Sequence, residues 1–315
     1  MIFRRFGCLI VCQLFFLAIV PCYAQDSDDF ARQAFSSQCS GDFRSASHLY
    51  ATAVAKGTND PFVFVDAAAC FAASQNRDTA FYFLNQALGA GWGDLYWIEH
   101  DNELTALRDD PRWLPFLDSA KARIAILEKD FDKSVRSRLL EMRLPDQIAR
   151  RLLHSWRSKP WALRGLYRTG FILAGIGIVL AMVGAFFLRK IRSRLLRIAG
   201  SMIAVLAVAC SVILLAYAIP TWRATMAVDD IDLRNIEQMK HIVERATWPG
   251  KSLVGEDAAE VAWLLVQHAD LDLDFQERCL PLLEEAARSG EATFVQAGNL
   301  RARIRQNKRT PAPDM

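Results

Sequence analysis

Two uncharged stretches decide the architecture of this chain: Gly170–Leu188 (GFILAGIGIVLAMVGAFFL) and Ile198–Pro220 (IAGSMIAVLAVACSVILLAYAIP). They are 19 and 23 residues long. An α-helix rises about 1.5 Å per residue, so each stretch covers roughly the 30 Å hydrocarbon core of a bilayer. A core helix of a soluble protein is rarely apolar on every side for this length. The two stretches therefore predict a transmembrane hairpin within residues 166–221.

The segment between the two spans, residues 189–197, predicts the orientation of the hairpin. It carries five Lys and Arg side chains and no acidic one, and short cationic loops stay on the cytoplasmic side of a membrane. Both polar parts of the chain would then lie on the opposite side. Neither span contains Asp, Glu, Lys, Arg or His. This favours an anchor over a transport path, because transporters usually carry intramembrane charge.

Residues 1–24 have the features of a secretory signal peptide. Arg4 and Arg5 precede the apolar stretch Phe6–Val20, and the small residues Cys22 and Ala24 are suitably placed for cleavage after Ala24. An uncleaved first membrane anchor is the alternative. Both interpretations export the residues that follow.

Export also bears on the cysteines. An oxidising compartment permits a disulfide between Cys39 and Cys70, but we favour burial of both as small apolar side chains. The chain has no Cys-x-x-Cys pair, so a zinc ribbon is not indicated. We expect no metal and no other cofactor.

The net charge of +3 hides an uneven distribution along the chain. Residues 25–118 carry 6 basic and 14 acidic side chains, and residues 225–315 carry 11 and 16. Residues 119–224, around the spans, carry 19 and 5. Anionic lipid accounts for positive charge next to a membrane, so membrane lipid is an expected partner. Neither polar part has the basic face of a nucleic-acid binder, and we expect no nucleic acid.

Residues 25–118 contain an internal repeat with a period of 34 residues. A small residue, a large one and a small one recur at the same spacing: Ala46, Tyr50, Ala53 and then Ala80, Leu84, Ala87. The pattern resembles the tetratricopeptide repeat, in which two helices cross closely at the small residues. Residues Gly91–Trp113 resemble the closing segment that follows such repeats in bacterial proteins. The resemblance implies a concave groove that binds peptides or proteins, and a purely structural role is the alternative.

The remaining polar segments lie on either side of the hairpin. We expect residues 119–165 to form a long helix that leads towards the membrane, residues 222–305 to form a small helical domain, and residues 306–315 to be a disordered tail. The C-terminal part resembles a bacterial domain family of unknown function. The resemblance rests on Trp248-Pro249, Gly255, the stretch AWLLVQHAD at Ala262–Asp270, and Phe275-Gln276. Candidate binding residues are accordingly Trp248, Pro249, Gly255 and Trp263.

The resembled family also suggests that the hairpin interrupts a domain. Its helix with an Asp-x-x-Asn pattern, here Asp232 and Asn235, follows a helix with an Asp-Gln-x-x-Arg pattern. That second pattern occurs here as Asp146, Gln147 and Arg150, before the first span. We therefore expect residues 138–153 to pack against residues 231–243 and the helix of His268. The alternative is that residues 119–167 form an independent stalk.

The best candidate for chemistry is Gln267-His268-Ala269-Asp270. A His beside carboxylates is suited to general base catalysis or to metal binding, although no second His stands at a metal-binding spacing. His268 also continues the apolar stripe of Ala258, Val261 and Leu265, which indicates a packed side chain. The discriminating observation is the surroundings of His268. A pocket with polar groups favours an enzyme, and a sealed apolar contact favours a binding protein.

Together these observations predict an all-α protein with tetratricopeptide-like hairpins, a transmembrane hairpin and a small helical C-terminal domain. We expect a multi-pass protein of the bacterial inner membrane, with both polar domains on the periplasmic side. These domains would bind other envelope proteins, peptides or each other. The alternative is a membrane-tethered hydrolase that acts through His268 and Asp270.

Overall fold

The computed structural model describes residues 26–157, 167–188, 190 and 192–309. Throughout that part of the chain the regular secondary structure is helical, with no strand, which confirms the all-α prediction. The proposed signal peptide lies outside the described residues, as do positions 189 and 191 of the loop. The helices are α1 (Ser27–Cys39), α2 (Phe43–Ala55), α3 (Pro61–Ala73), α4 (Arg77–Gly89), α5 (Leu95–His100), α6 (Thr105–Arg108), α7 (Trp113–Leu127), α8 (Lys133–Arg157), α9 (Tyr167–Leu188), α10 (Arg194–Ala246), α11 (Lys251–Val254), α12 (Glu256–Gln267), α13 (Leu273–Arg288) and α14 (Phe294–Arg309).

Helices α1–α4 form two helical hairpins with sharply defined starts. Each begins after an Asp or Asn whose side-chain oxygen accepts a hydrogen bond from a backbone N–H of the first turn, which satisfies an otherwise free donor. The six repeat residues are all buried: Ala46, Tyr50, Ala53, Ala80, Leu84 and Ala87. Repeat-like helical hairpins are therefore present. The closing segment α5–α7 covers them with Trp97, Leu107 and Phe116.

Helix α8 lies between the two polar parts of the chain. The long helix expected within residues 119–165 is instead two helices. Helix α7 ends at Leu127, and α8 starts after Asp132, whose carboxylate accepts the N–H of Val135 at 3.1 Å. One side of α8 places Leu144 in the core of the repeats. Its other side places Leu139 in the core of the C-terminal helices.

Helices α9 and α10 pack side by side, and both are long and apolar enough to span a membrane. The most apolar 18-residue segment of each helix has a mean hydropathy of 2.7, yet only 11% of that segment in α9 and 17% of that in α10 are buried. Gly177 allows the close approach, because a Cβ at this position would collide with Ser211 of α10. These low buried fractions favour a membrane environment, because soluble proteins do not leave so large an apolar surface exposed to water.

Helix α10 does not stop at the end of the apolar stretch. It runs for 53 residues, about 80 Å, through Pro220 and into the C-terminal helices. Asp232 of the Asp-x-x-Asn pattern lies inside α10 and not at the start of a separate helix. One rigid element thus connects the membrane-spanning candidate to the C-terminal core.

The C-terminal core is built by the end of α10 with α11–α14. Its fully buried centre contains Met239, Cys279, Leu283 and Leu300. Helix α13 is capped by Asp272, whose side chain accepts the N–H of Phe275. Helix α14 continues to Arg309, into the segment expected to be a tail.

The cysteines of the repeat unit carry no disulfide here. Cys39 is half-buried, Cys70 is buried, and both are free thiols. Burial raises the pKa of Cys39 to about 12, which makes its thiol unreactive.

Candidate functional site

The structure brings His268 against a carboxylate from the other side of the hairpin. Its Nδ1 lies 3.1 Å from each carboxylate oxygen of Asp146 on α8. The Asp146 side chain is fully buried, and the His268 side chain is 18% exposed. Gln147 donates a hydrogen bond to the same carboxylate at 2.7 Å. His268 therefore has a polar, fixed partner and not a sealed apolar contact.

A second contact across the hairpin adjoins the first. Arg150 donates through Nε to Asp146 Oδ1 at 3.2 Å and through Nη2 to Asp232 Oδ1 at 2.5 Å. Beside these hydrogen bonds, Ala149 and Leu153 of α8 pack against Val228 of α10. These are the contacts that the interrupted-domain interpretation requires, although the domain boundaries stay a prediction. We call Asp146, Arg150, Asp232 and His268 the Asp146 cluster.

The two carboxyls of the Asp146 cluster differ in pKa. Burial raises the pKa of Asp146, but the hydrogen bond and charge of His268, with the charge of Arg150, outweigh burial and hold that pKa below its usual range. Burial raises the pKa of Asp232 to about 7, against the lowering effect of Arg150. Asp146 and Asp232 share the guanidinium of Arg150, and Asp232, whose pKa is raised, is the one that holds a proton near neutral pH.

Two amide side chains, one buried and one half-buried, have buried atoms without hydrogen-bond partners among the described residues. They are Nδ2 of Asn235, whose residue is 6% exposed, and Oε1 of Gln267. The amide nitrogen of Gln267 donates only a long bond, 3.5 Å, to the carbonyl of Asn299. Asn235 belongs to the Asp-x-x-Asn pattern and Gln267 precedes His268, so the sequence motifs and the polar cluster coincide in space.

Asp270 has partners other than His268. Arg303 donates to both of its oxygens, and Asn307 donates to Oδ1 at 2.9 Å. Gln276 adds a hydrogen bond at 3.3 Å. These contacts attach α14 to the end of α12. The carboxylate that orients His268 is Asp146, which the sequence pattern assigned to packing and not to chemistry.

The four candidate binding residues do not form one site. Trp248 is 8% exposed and packs in the C-terminal core with Pro249 beside it in a buried turn. Gly255 has φ +85°, and a Cβ there would meet Arg136 and Phe131 within 3 Å. Of the four, Trp263 lines an open crevice.

The Trp263 crevice has a volume of about 340 Å³ and lies between α12 and α14. Trp263 donates its indole N–H to the carbonyl of Gln296 at 3.1 Å. The crevice is lined by Lys251, Glu256, Glu260, Trp263, Glu291, Val295 and Gln296, among others. Val295, one of its lining residues, is 71% exposed, and Phe294, its neighbour in the sequence, is 70% exposed.

The groove of the repeat-like helices is occupied by α8. Arg151 donates to Asp66 of α3 at 2.5 Å and reaches Glu103 at 3.4 Å. The ring of Phe35 on α1 lies 5.5 Å from that of His154. Basic side chains of α8 thus meet the acidic N-terminal unit. A peptide from outside would have to displace α8 to enter this groove.

Arg136 holds the opposite end of α8. It donates to Asp257 on α12, to the carbonyl of Val254, to Glu128 and to the carbonyl of Gly93. The same side chain therefore contacts both polar parts of the chain. Across the described ranges, no group of three or more His, Cys, Asp and Glu side chains could hold a metal ion.

A family model matches residues 207–307, which span most of α10, all of α11–α13 and α14 up to its last two residues. The family is described as a family of unknown function (DUF6624). The match includes His268, Asp270 and Asp232 but not Asp146, which lies before the hairpin. No curated protein and no solved structure matches the chain. The C-terminal third of this chain is therefore similar to DUF6624, in agreement with the resemblance read from its motifs.

Proposed function

We propose that this chain is a membrane-anchored scaffold of the bacterial envelope that binds another protein through its helical body. In this proposal residues 1–24 act as a signal peptide and α9–α10 lie in the inner membrane. The N-terminal hairpins act as tetratricopeptide-like repeats, and both polar parts lie on the periplasmic side. The single observation that carries the binding role is the pair of exposed apolar side chains, Phe294 and Val295, beside the Trp263 crevice.

The membrane assignment is supported by the exposure of the apolar helices. Phe186, Phe187 and Ile203 are 58%, 58% and 68% exposed, and similar side chains surround α9 and α10. Water would oppose this arrangement, whereas lipid tails satisfy it. The basic loop between the helices supports the orientation.

Helix α8 occupies the groove in which partner binding was expected, so the proposed binding site lies on another surface. Helix α8 already contacts α1 and α3 through Phe35 and Asp66, so the groove serves to join the two polar parts of the chain. The partner surface must then lie elsewhere. The Trp263 crevice combines the indole ring of Trp263, a residue type enriched at interface hot spots, with exposed apolar side chains beside it.

The charges of the crevice define the partner's chemistry. Glu256, Glu260 and Glu291 line it with one lysine, Lys251, whose ammonium is 2.7 Å from Glu256. The acidic excess favours a segment with an apolar anchor beside Lys or Arg. We therefore propose that the partner is an envelope protein or peptide that presents a basic, apolar segment.

The experiment is selection of peptides from a display library on the full chain in lipid nanodiscs. We expect the bound peptides to share an apolar residue next to Lys or Arg. Their affinity should fall about tenfold or more for Phe294→Ser, as for an interface hot spot.

Leu114→Ser on α7 is the matched control, because Leu114 is 69% exposed at a distant site. This control should bind the selected peptides as the wild type does. Acidic peptides, or peptides that bind Phe294→Ser as strongly as the wild type, would contradict the proposal.

The geometry of the Asp146 cluster favours a second candidate function, a membrane-tethered hydrolase. An ionised Asp146 can only accept, so Nδ1 of His268 carries a hydrogen, and whenever Nε2 has none it can take a proton from water. This arrangement replaces the expected His268–Asp270 pair with His268–Asp146 in the role of general base and orienting carboxylate.

The test of this second candidate is hydrolysis of a panel of ester, amide and phosphoester substrates by the full chain. Activity that falls about 100-fold or more in His268→Gln would support a general base. His241→Gln, an exposed histidine on α10, is the matched control. Equal rates for the wild type and His268→Gln would exclude His268 as the base.

A further inference from the structure

A cavity of about 280 Å³ lies between the repeat-like helices, α8 and α12, apart from the Asp146 cluster. Aromatic rings from the N-terminal unit form much of its wall: Phe35, Phe62, Trp92 and Trp97. The wall from α8 includes Arg143, and the wall from α12 includes Glu260. The cavity therefore lies where both polar parts of the chain meet.

Arg143 is the most unusual side chain of this cavity. It is 1% exposed, and Nε, Nη1 and Nη2 have no hydrogen-bond partner among the described residues. The nearest carboxylate oxygen, Oδ2 of the fully buried Asp94, is 3.6 Å from Nη1 and also has no hydrogen-bond donor. Buried arginines are normally fully hydrogen-bonded, because an unpaired buried charge is costly.

Aromatic rings hold the Arg143 guanidinium in place. Its central carbon is 3.8 Å from the ring centre of Phe62, 4.8 Å from that of Trp92 and 5.4 Å from that of Trp97. Such stacking fixes the guanidinium plane but uses none of its N–H groups. The donors that remain match the two oxygens of a carboxylate, which arginine binds through paired hydrogen bonds.

The same cavity presents negative charge to the other end of a ligand. Glu260 is half-buried and Asp60 is at the cavity mouth, and neither pairs with Lys or Arg across the described residues within ion-pair distance. Asp66, which also lines the cavity, is already paired with Arg151. Burial raises the pKa of Glu260, against the lowering effect of Arg143. A cationic ligand group would relieve this excess of negative charge.

We infer that this cavity binds a free α-amino acid, with its carboxylate on Arg143, its ammonium group towards Glu260 and Asp60, and its side chain against the aromatic wall. The opposed charges on one small cavity favour a zwitterion over a simple anion, because Glu260 and Asp60 would repel an anion. The volume is at the small end of ligand sites, which excludes drug-sized molecules. Glu260 lines both this cavity and the Trp263 crevice, so the two sites adjoin, but Phe294 and Val295, which carry the proposed peptide site, do not line this cavity.

The experiment measures thermal unfolding and calorimetric binding of the full chain in detergent with the free amino acids as probes. Each amino acid is compared with its N-acetyl derivative, which lacks the ammonium group, and with its amide, which lacks the carboxylate. We expect at least one amino acid to bind and to raise Tm. Each of its two derivatives should bind about tenfold more weakly or worse, because each loses a charge-assisted contact.

Two variants localise the binding. Glu260→Gln keeps the size of the side chain and should weaken binding of the amino acid without affecting that of its N-acetyl derivative. Glu285→Gln, at an exposed position of α13, should bind as the wild type does. Arg143→Lys should weaken binding through loss of the paired hydrogen bonds, with Arg123→Lys, at an exposed position of α7, as its control.

The outcomes separate clearly. No binding of any amino acid at millimolar concentration, or equal binding of an amino acid and both derivatives, would overturn the inference. Unchanged affinity in Glu260→Gln would also overturn it, even if Arg143→Lys fails to fold. Phe294→Ser should leave amino-acid binding intact, so failure of the peptide site and failure of this site are distinguishable.

Discussion

The imidazole of His268 is hydrogen-bonded to the carboxylate of Asp146, although 122 positions and two membrane-length helices separate them in the chain. The contact joins α8, which precedes the hairpin, to the end of α12, which follows it. Arg150 and Asp232 make a parallel contact one turn away. The chain thus leaves one packed helical body at the start of the hairpin and returns to the same body at its end.

The first prediction concerns the buried acceptor of this contact. Asp146→Asn removes the charge that His268 and Arg150 bind, and we expect a loss of about 2–4 kcal/mol in the free energy of unfolding. Asp230→Asn is the control, because Asp230 is 65% exposed on α10. Urea unfolding of the chain in detergent measures both, and equal stabilities of the two variants would contradict the prediction.

The pH dependence of Asp146 has a definite sign. Its folded-state pKa lies below its usual value, so its contribution is present above the unfolded pKa of about 3.9. That contribution is lost as pH falls through the lower folded-state pKa.

The second prediction concerns Asp232, whose pKa is raised to about 7 by burial. The folded state then binds a proton that the unfolded state has released, so Asp232 lowers stability as pH rises from about 4 to about 7. In Asp232→Asn this decline should be absent. Thermal unfolding at several pH values within that window compares the two proteins, and parallel pH profiles would refute the raised pKa.

The third prediction concerns the helix crossings of the repeat-like hairpins. Ala46 and Ala80 have no exposed surface, so Ala46→Trp or Ala80→Trp would force the helices apart and cost about 1–3 kcal/mol or more. Ala55→Trp, at an exposed position at the end of α2, should change stability little. If the buried and exposed substitutions shift urea unfolding equally, the alanines are not at close crossings.

The fourth prediction tests whether the helical body needs its membrane hairpin. Replacement of residues 165–221 by a short Gly/Ser linker should give a soluble, folded monomer, because Leu153 and Val228 already bring the cut ends together. Circular dichroism and gel filtration measure the result. An aggregate with low helicity would show that the two halves do not fold as one body.

Much of the architecture was predictable from local sequence because it rests on short-range physics. The 34-residue spacing of small residues predicted the first hairpins, and apolar length predicted α9 and α10. The pattern at Asp146 predicted contact with the helix of His268. These signals depend only on residue types at fixed spacings.

The central helix α8 was not predictable in the same way. Its arginines Arg136, Arg143 and Arg151 have the pattern of a solvated helix face, yet each is buried against the N-terminal unit. Their partners, such as Asp257, Asp94 and Asp66, are distant in sequence, and charge patterns do not specify long-range pairing. For the same reason the partner of His268 was expected at Asp270, its sequence neighbour, and is instead Asp146.

The continuity of α10 was also not predictable from the local sequence. Pro220 opposes a continuous helix at this point, because proline usually kinks or ends a helix. Packing of Ala224 and Val228 against α8 supports the helix through this region. Tertiary contacts therefore decided the course of the chain where local preference opposed it.

The fifth prediction concerns the central claim, a membrane hairpin that returns both polar parts to one side, and a topology measurement tests it most directly. A reporter enzyme that is active only outside the cytoplasm is fused after Ala120, after Met315, or between Lys190 and Arg197, with fusion levels matched by immunoblot. The account predicts activity for the first two fusions and none for the third. An active loop fusion, or opposite results for the Ala120 and Met315 fusions, would contradict it.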